Sequence, residues 1–156
     1  MRVRSFSCLL LAATVACGGR SRPETAARPG VEFLTPYGPT TRPFSPAVRV
    51  GNMLYLSGQI GTASAGAAAN AVVPGGIEAE TRQTLENIKD VLQRSGSSMD
   101  RVVKCTVMMA DMREWDRMNV VYATYFPTNK PARSALGANG LALGARVEIE
   151  CWATVG

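Results

Sequence analysis

Near its C-terminal end the sequence reads Arg146-Val147-Glu148-Ile149-Glu150-Cys151-Trp152-Ala153-Thr154-Val155, a strict two-residue alternation. Side chains on a strand point to opposite faces in turn, so Val147, Ile149, Cys151, Ala153 and Val155 share one side. Arg146, Glu148, Glu150, Trp152 and Thr154 share the other. The first face is apolar enough to build a core. The second mixes two carboxylates with a tryptophan, and Tyr55 from an earlier strand belongs with it. A face of that kind needs a cover, and the expectation is that another subunit provides it.

Working outward, Val103, Cys105, Val107 and Met109 alternate with Lys104, Thr106 and Met108, a second strand. Val48-Arg49-Val50 and Met53-Leu54-Tyr55-Leu56 are strands joined by Gly51-Asn52, a pair suited to a tight hairpin. Ile77, Thr81, Leu85, Ile88, Val91 and Leu92 form one stripe at helical spacing, which predicts a helix over Ile77 to Ser95 closed by Gly96. Asp111 and Glu114 read as a capping pair for a second helix through Phe126, with Trp115, Met118, Tyr122, Tyr125 and Phe126 as its apolar stripe. Pro127 to Pro131 end that helix. The Gly- and Ala-rich segment from Gly61 to Ala71 is a loop or hairpin tip, and it lacks the Lys-Ser/Thr ending of a phosphate loop. The order β-β-(β)-α-β-α-β predicts an α+β domain, a mixed sheet with two helices on one face.

Composition narrows the chemistry. The 156 residues hold 46% apolar and 19% charged side chains, the balance of one globular domain. There is no histidine, which removes His-based acid–base catalysis, Ser-His-Asp triads and His-ligated metals. Lys and Arg number 17 against 12 acidic residues. Without Arg2 and Arg4 of the leader the balance is 15 to 12, too mild and dispersed to argue for a nucleic-acid partner.

That leader carries an address. Arg2 and Arg4 precede Cys8 to Ala16, an apolar run well short of the about 20 residues a spanning helix needs. Residues 1–16 read as a signal peptide and 17–32 as a flexible tether, with 33–156 as the domain. Cys17 after Ala16 resembles a lipobox cysteine, a site of lipidation, although Thr14 stands where such motifs carry Leu or Val. Plain cleavage after Ala16, or an unprocessed start, are the other readings. The expected location is extracytoplasmic, in the periplasm or cell envelope, with a lipid anchor as the sole membrane contact. Cys105 and Cys151 are expected as buried thiols, with a disulfide left open.

Four segments, in order, resemble the RidA (YjgF/UK114) family of imine deaminases: Pro43-Phe44-Ser45-Pro46-Ala47-Val48; Gly51-Asn52 leading to Ser57-Gly58-Gln59-Ile60; Thr81-Arg82-Gln83-Thr84-Leu85-Glu86-Asn87-Ile88; and Pro131-Ala132-Arg133-Ser134 with Val147-Glu148-Ile149-Glu150. The resemblance covers about residues 33–156. It implies a chorismate-mutase-like fold, a homotrimer with active sites between subunits, and cofactor-free, metal-free hydrolysis of 2-imino and enamino acids to 2-oxo acids and ammonia, as in a 2-iminobutanoate/2-iminopropanoate deaminase. By that resemblance Arg133 grips the substrate carboxylate, a task that suits a planar guanidinium. Glu148 holds or activates the attacking water. Ser57, Gly58, Asn119, Phe44 and Ala135 line the pocket. Phe44 stands where many relatives have Tyr and Ala135 where some have Cys, changes that make the pocket less polar and favour larger apolar imino acids or lower activity. The competing reading is a non-catalytic module whose clefts bind a small carboxylate or a partner at the cell envelope.

Overall fold

The computed structural model describes residues 29–63 and 71–156. Seven strands form one mixed sheet: β1 (Val31–Leu34), β2 (Ala47–Val50), β3 (Met53–Leu56), β4 (Gln59–Ile60), β5 (Val102–Met109), β6 (Ala132–Gly137) and β7 (Val147–Thr154). Their order is β1-β2-β3-β7-β5-β6, with β4 continuing beside β7. All pairs are antiparallel except β5 with β6, which the second helix connects. The helices are α1 (Gly76–Arg94) and α2 (Trp115–Tyr125). The expected architecture is present, with β1 and β6 added at the two edges.

β7 lies between β3 and β5, and of its predicted inward set Val147, Ile149, Cys151 and Ala153 have no solvent exposure, while Val155, just past the strand's end, is partly buried. The predicted α1 stripe is likewise buried from Ile77 to Leu92. At its C-terminus Gly96 takes a left-handed φ of +80°, Ser97 N–H reaches Leu92 O at 2.9 Å and Gly96 N–H reaches Gln93 O at 3.3 Å. This Schellman closure satisfies carbonyls that the helix itself leaves unpaired. The Gly51-Asn52 hairpin forms as expected, with Val50 opposite Met53 and Gly51 at φ +59°. Across the Gly61–Ala71 tip, Thr62 bridges Val72; residues 64–70 lie outside the described residues.

Several readings change. Val103 is 43% exposed, out of phase with Cys105, because the β5–β7 register shifts between Val102 and Lys104 and inserts a bulge residue. Asp111 does cap, accepting the Arg113 N–H at 2.9 Å, but the turn it caps is a short 3-10 segment before α2. The Glu114 carboxylate turns instead to Arg146, at 2.7 Å. Cys105 and Cys151 are buried as expected, yet they are joined by a disulfide. The register sets them directly opposite across β5 and β7, with Cα atoms 4.2 Å apart. β1 also takes in Val31 and Glu32 from the expected tether; the expected signal peptide and Cys17 lie outside the described residues.

The helices cover one sheet face. On the other, Tyr55 lies opposite Trp152 and their rings meet edge to face at 5.1 Å, with 36% and 41% of each residue exposed. Among the described residues no helix is long and apolar enough to cross a membrane.

Candidate active site

Glu148 comes from the start of β7, on the face away from the helices. What sets its surroundings is a bulge. Tyr55 pairs with Trp152 and Gln59 with Ile149, so three residues (Leu56, Ser57, Gly58) span the length of two (Glu150, Cys151). Such an insertion bends a strand and re-aims what it carries. Here it brings the Gly58 backbone against the Glu148 carboxylate, so closely that a Cβ on residue 58 would overlap Oε1. Only glycine leaves that space.

The bulge is tied down by Ser57, whose N–H donates to Pro46 O at 3.0 Å and whose hydroxyl donates to Ser45 O at 2.7 Å. The Ser57 hydroxyl proton is therefore committed to the backbone, which leaves its oxygen to act as an acceptor. Phe44, next to Ser45, is 46% exposed, with the Arg42 guanidinium 5.9 Å from its ring centroid. Glu148 itself is half-buried, and burial followed by the neighbouring charge of Glu150 holds its carboxyl above the ordinary value of 4.5. Both causes penalise the ionised form, the direction a general acid–base group needs for work near neutral pH.

Arg133 is built differently. It lies on β6 beside Cys105, whose side chain faces the helices, and it shares that face. Asn119 accepts from Arg133 Nη1 at 2.7 Å. The guanidinium carbon sits over two α2 rings, 4.7 Å from the Trp115 centroid and 4.6 Å from that of Tyr122. Ala135, two residues along β6 on the same face, is partly buried against the core.

The expected residues thus fall into two groups. Ser57, Gly58 and Glu148 are together, with Phe44 adjoining through Ser45. Arg133, Asn119 and Ala135 are together elsewhere. Within one protomer Arg133 and Glu148 are not neighbours: β5 lies between their strands and they face opposite ways. Trp115 and Tyr122 were expected only as core. The signal for a second role was their spacing with Asn119, since residues 115, 119 and 122 recur on one helical face.

The family model described as Endoribonuclease L-PSP matches residues 37–155. The chain belongs to this family, the RidA/YjgF family. Among its RidA/YjgF relatives, the Mus musculus protein named 2-iminobutanoate/2-iminopropanoate deaminase is 40% identical over 114 residues, 73% of this chain and 82% of that one. The crystal structure of YEO7_yeast superposes with a TM-score of 0.73 at 36% identity, covering 81% of this chain and all of the other. The RidA/YjgF structure of E. coli TdcF with bound serine has a TM-score of 0.68 at 26% identity, covering 80% of this chain and 98% of the other.

Proposed function

We propose that the chain hydrolyses 2-imino and enamino acids to 2-oxo acids and ammonia, in a homotrimer whose clefts join Arg133 of one subunit to Glu148 of the next. The observation that carries this reading is the Glu148 carboxylate, seated on the Gly58 backbone with its proton affinity raised. Binding a carboxylate ligand needs only an arginine. A second, half-buried carboxylate is what hydrolysis adds. The name of the mouse relative and the amino acid held by the E. coli relative point to substrates of the same class.

In this reading Arg133 takes the substrate carboxylate through two parallel N–H···O bonds. An enamine first moves a proton from nitrogen to its β carbon and becomes the imine. Water then adds to the C=N carbon while Glu148 removes one of its protons, and the C=N electron pair goes to nitrogen. Glu148 returns that proton to nitrogen, giving a carbinolamine. A second transfer, from the new hydroxyl through Glu148 to the amine, forms C=O as the C–N bond breaks and ammonia leaves. Glu148 ends as it began, so no cofactor is consumed. Phe44 and Ala135 offer no hydroxyl or thiol, and the pocket is expected to favour larger apolar imino acids.

The reading includes an extracytoplasmic location with a lipid on Cys17. The leader sequence supports it, and so does a core disulfide, a bond rare in a reducing cytosol. Metabolic labelling with a fatty acid, compared between the natural chain and Cys17→Ser, tests the anchor.

For the activity, imino acids made in situ by an amino-acid oxidase are followed with and without the protein. Accelerated imine loss, matched by 2-oxo acid and ammonia and abolished in Arg133→Ala, is the expected result. Tight 2-oxo acid binding without any acceleration would leave the carboxylate-binding module as the function.

A further inference from the structure

Trp115, Asn119 and Tyr122 stand at i, i+4 and i+7 on α2, one stripe of the helix. The Arg133 guanidinium carbon lies 4.7 Å from the Trp115 ring centroid and 4.6 Å from that of Tyr122. The guanidinium thus contacts both rings at once, and Asn119, between them on the stripe, accepts from Nη1 at 2.7 Å. Tyr122 is buried in the core and Trp115 is half-buried against it, so both rings are held in place.

We propose that Trp115 and Tyr122 are positioning residues that clamp the Arg133 guanidinium, fixing the plane in which it takes the substrate carboxylate. Fork-to-fork pairing needs coplanar partners, and an arginine free to rotate would lose that geometry. Contact with two rings also strips water from the cation, which strengthens its remaining hydrogen bonds. Two N–H groups of Arg133 touch the carboxylate; the two rings act only through the guanidinium. This inference rests on the deaminase reading for its substrate, but its geometry concerns carboxylate capture alone.

The test uses Trp115→Leu, which removes one side of the clamp, and Trp115→Phe, which keeps a ring there. Two quantities are measured on full-length protein of unchanged circular dichroism: KM and kcat for 2-iminobutanoate, and calorimetric affinity for 2-oxobutanoate. The expected result for Trp115→Leu is a KM raised roughly tenfold with kcat altered less than about threefold, and a matching loss of 2-oxobutanoate affinity. Trp115→Phe is expected to recover most of both. Equal losses in Leu and Phe variants, or a wild-type KM in Trp115→Leu, would overturn the clamp. If the natural chain hydrolyses no imine, the deaminase reading fails but the 2-oxobutanoate titration still reads the clamp. If the natural chain binds no 2-oxobutanoate either, the clamp fails with it.

Discussion

Arg133 and Glu148 occupy opposite faces of one sheet, two strands apart. Arg133 pairs with Cys105, and Cys105 with Cys151, three residues along β7 from Glu148. Strand spacing and rise place their Cα atoms about 14 Å apart, and their side chains diverge from there. No movement of a single protomer that preserves the sheet brings the guanidinium and this carboxylate onto one small substrate. The two halves can cooperate only across a boundary between copies of the chain.

That geometry makes a complementation test decisive. Arg133→Ala and Glu148→Gln are each expected to be inactive alone. Unfolded together and refolded at equal amounts, they should form trimers in which some clefts pair an intact Arg133 with an intact Glu148. For a head-to-tail ring, random mixing gives about a quarter of the clefts both groups, so about a quarter of natural activity should return. No recovery from mixed, folded trimers would mean that each site lies within one subunit.

Gly58 is a second point of leverage. A methyl at this position collides with the Glu148 carboxylate, and the carboxylate must turn away. Gly58→Ala is expected to cut kcat by on the order of 10²-fold, the scale of a displaced acid–base group, while 2-oxo acid affinity changes little. Steady-state rates and calorimetry on the same preparation check the split.

The pH dependence follows from Glu148. Burial first, and Glu150 second, raise its carboxyl above 4.5. The water-activating form is ionised, so the rate should climb as pH rises through that elevated value. Glu150→Gln removes one cause and should move the acid limb to lower pH, read from kcat/KM against pH. Stability runs the other way. A carboxyl raised in the folded state binds protons more tightly there than when unfolded, so its contribution is full below the unfolded value and is lost as pH rises through the folded one. Glu148→Gln should therefore be more resistant to denaturant than the natural chain at neutral pH, with the difference shrinking toward pH 4.

Cys105 and Cys151 are separated by 46 residues and fully buried. By loop-closure entropy, cross-linking a loop of that length stabilises by up to about 4 kcal/mol. The Cys105→Ala, Cys151→Ala double variant should melt on the order of 10 °C lower in thermal denaturation. The natural chain denatured without reductant should show no titratable thiol from this pair.

The period of each buried element can be read from the residues alone. The stripe of α1, the alternation of β7, the Gly96 closure and the Gly51-Asn52 hairpin were all legible, because each reports local geometry and one-sided burial of a single segment. Glu148, Gly58 and Arg133 were legible through resemblance at matched spacing. Tertiary structure alone decided what depends on register. β1 and β6 are mostly exposed edge strands, so one-sided burial leaves little apolar periodicity in their residues. Val103 left its expected face because a bulge is a mismatch between two strands and is invisible in either one. The disulfide required Cys105 and Cys151 to fall opposite each other across separate strands. The same holds for the division of the site: which face a residue occupies is written locally, but which faces meet is set by how distant segments pair.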